Sequence, residues 1–287
     1  MKRMISLFLV SIFIIFSFCG CNGSSSLLNT LNLNAYADGI RYKIIDGEAV
    51  VTGTENKTTV TRIFVPDEYM GMPVTKIADF GIVNLEYVTS IHIGKNIKEI
   101  GEWALTNNQH ITEITVDENN EYFCDVDGVL FSKDMKTMIA YPPSKNLEAA
   151  KDENGNEIKT ITYAIPDGVE EIRTKAFYKC YRVAAVTIPE TVKYIGEKAF
   201  FDCELTELVL PSGLETIGKD AFGLNYSLKE LTIGPSIKEI GDYAFYNCTS
   251  LLNIEVQAKE REVALGKKWY PTNNGIEIEK AEVKWCE

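Results

Sequence analysis

One phrase recurs through the second half of the chain and constrains its fold more than any other feature. It reads Ile172-Arg173 … Ala176-Phe177 … Cys180, then Ile195-Gly196 … Ala199-Phe200 … Cys203. Ile217-Gly218 … Ala221-Phe222 … Asn225 and Ile240-Gly241 … Ala244-Phe245 … Cys248 follow. The leading isoleucines step by 23, 22 and 23 residues. A period of this length marks a solenoid of stacked coils, each too small to bury its own apolar face. Stacking supplies the core that no single coil has.

Within a coil the residues alternate as a strand requires. In Leu205-Thr206-Glu207-Leu208-Val209-Leu210-Pro211, Leu208 and Leu210 face inward while Glu207 and Val209 face solvent. Pro211 ends the strand, Leu214 and Ile217 supply a second inward pair, and Gly218 is read as permitting a tight bend. Arg173 and Ala78 stand where other coils have that glycine, so the bend does not demand a positive φ. Aligned strands are expected to form a parallel ladder with a spacing of about 4.8 Å.

Earlier coils precede the regular ones. Ile63-Phe64-Val65-Pro66 with Val74-Thr75-Lys76-Ile77 make a first, and Ile91-His92-Ile93 with Ile97 to Leu105 a second. Ile111 to Val116 begins a third. A hairpin interrupts it, with Asp127-Gly128 at its tip and Pro142-Pro143 at its end. Residues 145–160 form a polar insertion centred on Asn154-Gly155, a type I′ turn signal. Ahead of the coils, Asp46-Gly47 between two β-prone runs predicts a hairpin cap. Residues 257–287 read as a C-terminal cap, with one or two helical turns over Glu262 to Lys268 and closing strands from Ile276 to Trp285.

The chain opens Met1-Lys2-Arg3 and runs apolar to Phe18, a secretory signal by pattern. A membrane-spanning helix is the alternative, but the run is shorter than the roughly 18–20 residues a span needs. Phe18-Cys19-Gly20-Cys21 resembles a bacterial lipoprotein signal, which implies cleavage after residue 20 and acylation of Cys21. Ordinary secretion is the second reading. Residues 21–37, rich in Ser, Asn, Gly and Leu, are expected to be a flexible tether.

Charge narrows the partners. The chain has 29 basic and 41 acidic residues, a net charge of −12, and losing Lys2 and Arg3 with a leader would make it more negative. This excludes nucleic acid, which needs a basic surface, and leaves the N-terminal lipid as the only membrane contact. Five cysteines lie beyond Cys21, namely Cys124, Cys180, Cys203, Cys248 and Cys286. No Cys-x-x-Cys pair occurs anywhere in the sequence, and three of the five share one place in the repeat. A packing column that also holds Asn225 and Asn108 is preferred to a disulfide or a metal site.

The pattern Leu/Ile-x-x-Ile/Leu-x-Ile/Leu-Pro-x-x-Val-x-x-Ile-Gly-x-x-Ala-Phe-x-x-Cys resembles the BspA-like, or treponemal-type, leucine-rich repeat. Asp46 to Gly53 is similar to that family's N-terminal cap, and Gly128 to Pro142 to its interrupting hairpin. The resemblance covers Asp38 to Val256. It implies a mainly β leucine-rich-repeat solenoid with a parallel ladder and short helical turns, running over residues 38–256 with the hairpin and insertion at 121–160. It further implies a bacterial surface protein, in some members an adhesin for host or matrix proteins, and no shared catalytic residues.

The residues themselves offer little chemistry. Only His92 and His110 are present as histidines, with no His-Glu-x-x-His, no Gly-x-Ser-x-Gly and no phosphate loop. The acids Asp117, Glu118, Glu121, Asp125 and Asp127 lack the spacing of a calcium loop and read as solvated. No catalytic residue, metal or cofactor is therefore assigned. By alternation the outward positions of the ladder include Phe64 beside His92 at one end, and Glu207 and Glu230 at the other. These four are the candidate binding residues. The expected function is a lipid-anchored, non-enzymatic surface protein that binds an extracellular protein through this face. A glycan-binding module ranks second and an anchored enzyme last.

Overall fold

The computed structural model describes residues 35–37, 39–55, 60–145, 161–273, 276–277 and 281–286. The signal, Cys21, most of the tether and the Asn154-Gly155 insertion lie outside the described residues.

The described chain is a right-through stack of β coils. Each regular coil gives one strand of three to five residues to a front ladder and a two-residue strand to a back ladder. The front strands are Arg62–Phe64, Ser90–Ile93 and Glu113–Val116, then Ile161–Ala164, Val183–Thr187 and Glu207–Val209, then Glu230–Ile233, Asn253–Val256 and Glu282–Trp285. They form three parallel sheets of three, not one continuous ladder. The last of them, Glu282–Trp285, comes from the C-terminal cap and pairs in parallel with Asn253–Val256.

The N-terminal cap is an antiparallel hairpin, Ile40–Ile45 with Glu48–Thr54. Asp46 and Gly47 both take positive φ, 51° and 83°, as a type I′ turn demands. Ala35–Ala37 adds a strand to this hairpin, so the last residues of the expected tether belong to the cap. A second small hairpin, Glu68–Tyr69 with Met72–Pro73, turns at Met70-Gly71.

The interrupting hairpin does more than replace the back of a coil. Its strands, Phe123–Val126, Val129–Ser132 and Thr137–Ala140, join the back ladder through Thr137–Met138 beside Glu171–Ile172. Its tip reaches the front, where the Ile114 amide donates to the Gly128 carbonyl at 2.8 Å. The edge of Glu113–Val116 is thereby covered, and the front ladder ends there. Among the described residues of the C-terminal cap, only Glu260–Glu262 is helical, a single 3-10 turn. Ala264–Leu265, expected as helix, instead extends the back ladder from Glu239–Ile240, whose open edge would otherwise lack hydrogen bonds.

The interior confirms the reading of the repeat. Phe177, Phe200, Phe222 and Phe245 are fully buried and stack with ring centres 4.8 to 5.5 Å apart. Tyr141 begins this column against Phe177 and Trp269 closes it edge-on against Phe245. The cysteine column also packs. Cys203 and Cys248 donate their thiols to the carbonyls of Phe177 and Phe222. Asn225, in the same column, bonds the Phe200 and Phe222 carbonyls and accepts from the Leu205 amide. All five described cysteines are free thiols.

The glycine column has a different cause from the bend expected of it. None of Gly196, Gly218 and Gly241 has a positive φ. A Cβ on Gly218 would lie 2.6 Å from the Gly196 carbonyl carbon, and one on Gly241 2.5 Å from the Lys219 amide. Glycine is required because the backbone of the preceding coil passes too close for a side chain. Arg173 and Ala78 occur where the preceding element is the hairpin or the cap, not a regular coil.

Candidate functional site

The front face carries all four predicted binding residues, and the structure brings them together in two pairs. At the N-terminal end Phe64 lies opposite His92 on the neighbouring strand. Their rings are parallel to within 9°, with centres 4.6 Å apart. Phe64 remains 57% exposed. His92 is held from its other side, where Nδ1 is 3.1 Å from the Thr115 hydroxyl. Arg62 lies over Ser90 on the same two strands, its Nε donating to the Ser90 hydroxyl at 3.1 Å, which buries Ser90 although it points outward. The result is a flat ring ledge with a guanidinium at its side.

At the C-terminal end Glu207 and Glu230 occupy equivalent places on successive coils, with Val209 two residues on from Glu207. Val209 is 77% exposed, the most exposed large apolar side chain among the described residues. Neither Glu207 nor Glu230 has an ion-pair partner among the described residues. The neighbouring Glu190 is differently placed, its carboxylate accepting from the amide and hydroxyl of Ser212.

The acidic run near the hairpin resolves into separate structural tasks. Asp117 accepts from the Asn119 amide, which with the Asn119 side chain holds its carboxyl below the usual range. Asp125 accepts from the Val116 amide, and Asp127 pairs with the buried ammonium of Lys145. Among the described residues no group of three or more His, Cys, Asp or Glu side chains converges on a metal position.

A third feature was not anticipated from sequence. Where the hairpin replaces a coil, Lys175 and Arg173 reach back across the gap. Arg173 Nη2 donates to the Ile100 carbonyl at 2.7 Å, and Lys175 Nζ sits 3.0 Å from the centre of the Trp103 ring. They border a small cavity of about 40 Å³ with Ile91, Ile114 and Tyr178. Burial, with Lys198 nearby, pushes the Lys175 amine down to about 8.

A family model for the BspA type leucine rich repeat region matches in six copies over residues 56–136 and 154–265. The chain belongs to that family. The matched residues span most of the stack, and the chain is a leucine-rich-repeat solenoid of that kind. In three dimensions it is similar to the pneumococcal vaccine antigen PcpA, with a TM-score of 0.56 and 17% identity over 87% of this chain and 90% of that one. A leucine-rich cell surface protein of Faecalibacterium prausnitzii aligns with a TM-score of 0.43 at 18% identity, covering 88% and 76%. A leucine-rich repeat protein of Eubacterium ventriosum aligns at 0.46 and 15%, covering 82% and 93%. At 17% identity the likeness to PcpA is one of fold. No curated protein matches the chain.

Proposed function

We propose that this chain is a bacterial surface lipoprotein, anchored through Cys21, whose solenoid binds an extracellular protein through its front face. The observation that carries the reading is the Phe64–His92 stack. An aromatic ring held flat by its neighbour and left open to solvent is the kind of anchor that dominates protein–protein contacts. The acidic balance of the chain supports a protein partner over nucleic acid. A glycan-binding face would be supported by several exposed rings in one groove; among the described residues the outward front positions offer Phe64 and His92 alone.

A soluble form beginning ahead of Ala35, so that the cap keeps its first strand, is to be tested against arrays of matrix proteins and of glycans. Binding to protein, lost on Phe64→Ala or Glu207→Lys, is the expected result. Binding that survives both substitutions would remove the front face from consideration, and binding to glycans alone would replace the reading. For the anchor, metabolic acyl labelling of the whole chain should disappear in Cys21→Ser.

A further inference from the structure

The front ladder is split between Glu207–Val209 and Glu230–Ile233. Elsewhere the residue just before a front strand donates its amide to the equivalent carbonyl one coil earlier. Thr89 does so to Thr61, Thr112 to Thr89, Thr206 to Ala184 and Leu252 to Lys229. Lys229 makes no such bond to Thr206, and no ladder joins the two strands. The back of the same two coils stays shut. Thr216–Ile217 pairs with Glu239–Ile240, and Phe222 stacks on Phe245 at 5.5 Å. Beyond the strands the coils also meet, for a Cβ on Gly234 would lie 2.8 Å from Ser212 Cα. The coils are joined behind and parted in front, which leaves a depression of about 590 Å³ bordered by Glu207, Val209, Ser227, Lys229 and Glu230.

Two properties of this slit point to one occupant. Its rim carries the exposed Val209. The facing carboxylates of Glu207 and Glu230 have no cation among the described residues, apart from the flanking Lys229 that lines the same depression. We propose that the slit is the docking groove for an extended, basic segment of a partner protein. A cationic side chain of that segment sits between Glu207 and Glu230, and the next side chain on the same face covers Val209. This inference rests on the protein-binding reading and narrows it to one place and one partner chemistry.

The test uses the full chain and three fluorescent peptides of about ten residues, the length of a long strand. One alternates Lys and Val, one alternates Lys and Gly, and one alternates Glu and Val. Anisotropy is read at about 0.15 M salt, where loose charge attraction is screened beyond about 8 Å. The Lys-Val peptide is expected to bind at least about ten-fold more tightly than the Lys-Gly peptide, with no binding of the Glu-Val peptide. Glu207→Gln with Glu230→Gln should weaken it by about ten-fold or more, Val209→Ser should weaken it, and Glu239→Gln on the exposed back ladder should leave it unchanged. All four substitutions are at exposed positions, so folding is retained. Equal binding of the Lys-Val and Lys-Gly peptides, affinity that survives the double Gln variant, or no binding at all would each overturn the inference. If the peptides fail while an array protein binds and is lost on Phe64→Ala, the groove is wrong and the front-face reading stands. If the array fails as well, both fall.

Discussion

The ammonium of Lys175 lies 3.0 Å from the centre of the Trp103 indole, although 72 residues and an interrupted coil separate the two. The contact exists because the hairpin takes the place of that coil's back, so one regular coil faces another across a gap. Lys175 fills the gap, at 7% exposure, with the like charges of Lys198 and Lys179 acting on it. Lys198 itself is neutralised by Glu197 and Asp220 at 3.0 and 3.1 Å.

This geometry makes stability depend on pH in a defined direction. Burial pushes the Lys175 amine down to about 8, against 10.5 in the unfolded chain. Between those values the unfolded state binds more protons than the folded one, so Lys175 adds stability as pH rises. Lys175→Met keeps the bulk and removes the titration. The unfolding free energy of the native chain minus that of Lys175→Met, from urea curves at pH 7 and pH 10, should increase with pH. A flat difference would show that attraction to the Trp103 ring fully offsets the burial.

Gly218→Ala should destabilise the chain by about 1–3 kcal/mol, the usual range for forcing atoms into a packed interior. The added methyl would meet the backbone of Gly196 and Glu197, which cannot move without shifting a coil. Arg173→Gly should cost less than that backbone clash, since it removes one hydrogen bond to Ile100 and leaves the backbone of its coil unobstructed. Thermal or urea unfolding of the two variants ranks them. The reverse ranking would mean the glycine column serves the bend and not the close approach.

The coils themselves were legible in the sequence because two periods coincide, the repeat of 22 or 23 residues and the two-residue alternation within a strand. The alternation alone turns Phe64 and His92 outward on successive coils, for the 28-residue step between them exceeds the period because the hairpin at Met70-Gly71 lengthens the first coil. The two periods do not say why Gly218 is glycine, because a bend and a close approach both ask for the same residue. The Met70-Gly71 hairpin was missed since methionine is not a turn residue, yet it takes a φ of 54° here. Ala264–Leu265 was read as helix because its sequence favours one; the open back edge at Ile240 overrides that preference. The split between Glu207 and Glu230 left no mark either, since the step of 23 residues between them is the ordinary one.

The buried thiols should be inert while the fold holds. Burial pushes Cys248 up to about 12 and raises Cys180 and Cys203 as well. The thiolate is the reactive species, so alkylation at pH 8 requires the coil to open. Mass spectrometry after iodoacetamide should show Cys286 labelled first, the half-buried Cys124 more slowly, and the three column cysteines only in denaturant. A column cysteine that resists labelling in denaturant until a reductant is added would reveal a disulfide and overturn the packing column.

Hydrogen exchange tests the split ladder without any partner. The Leu252 amide donates to the Lys229 carbonyl at 3.1 Å and can exchange only when the ladder opens. The Lys229 amide, one coil earlier at the equivalent place, has no such bond to Thr206. Residue-resolved exchange should find Lys229 faster than Leu252 by on the order of a hundred-fold after correction for intrinsic rates, because protection scales with the free energy of local opening. Back-ladder amides of the same coils, such as Gly241 bonded to the Ile217 carbonyl at 2.7 Å, should remain slow. That combination, fast in front and slow behind, is what two coils joined at the back and parted at the face require. Equal protection of Lys229 and Leu252 would mean the front ladder closes in solution, and the groove with it.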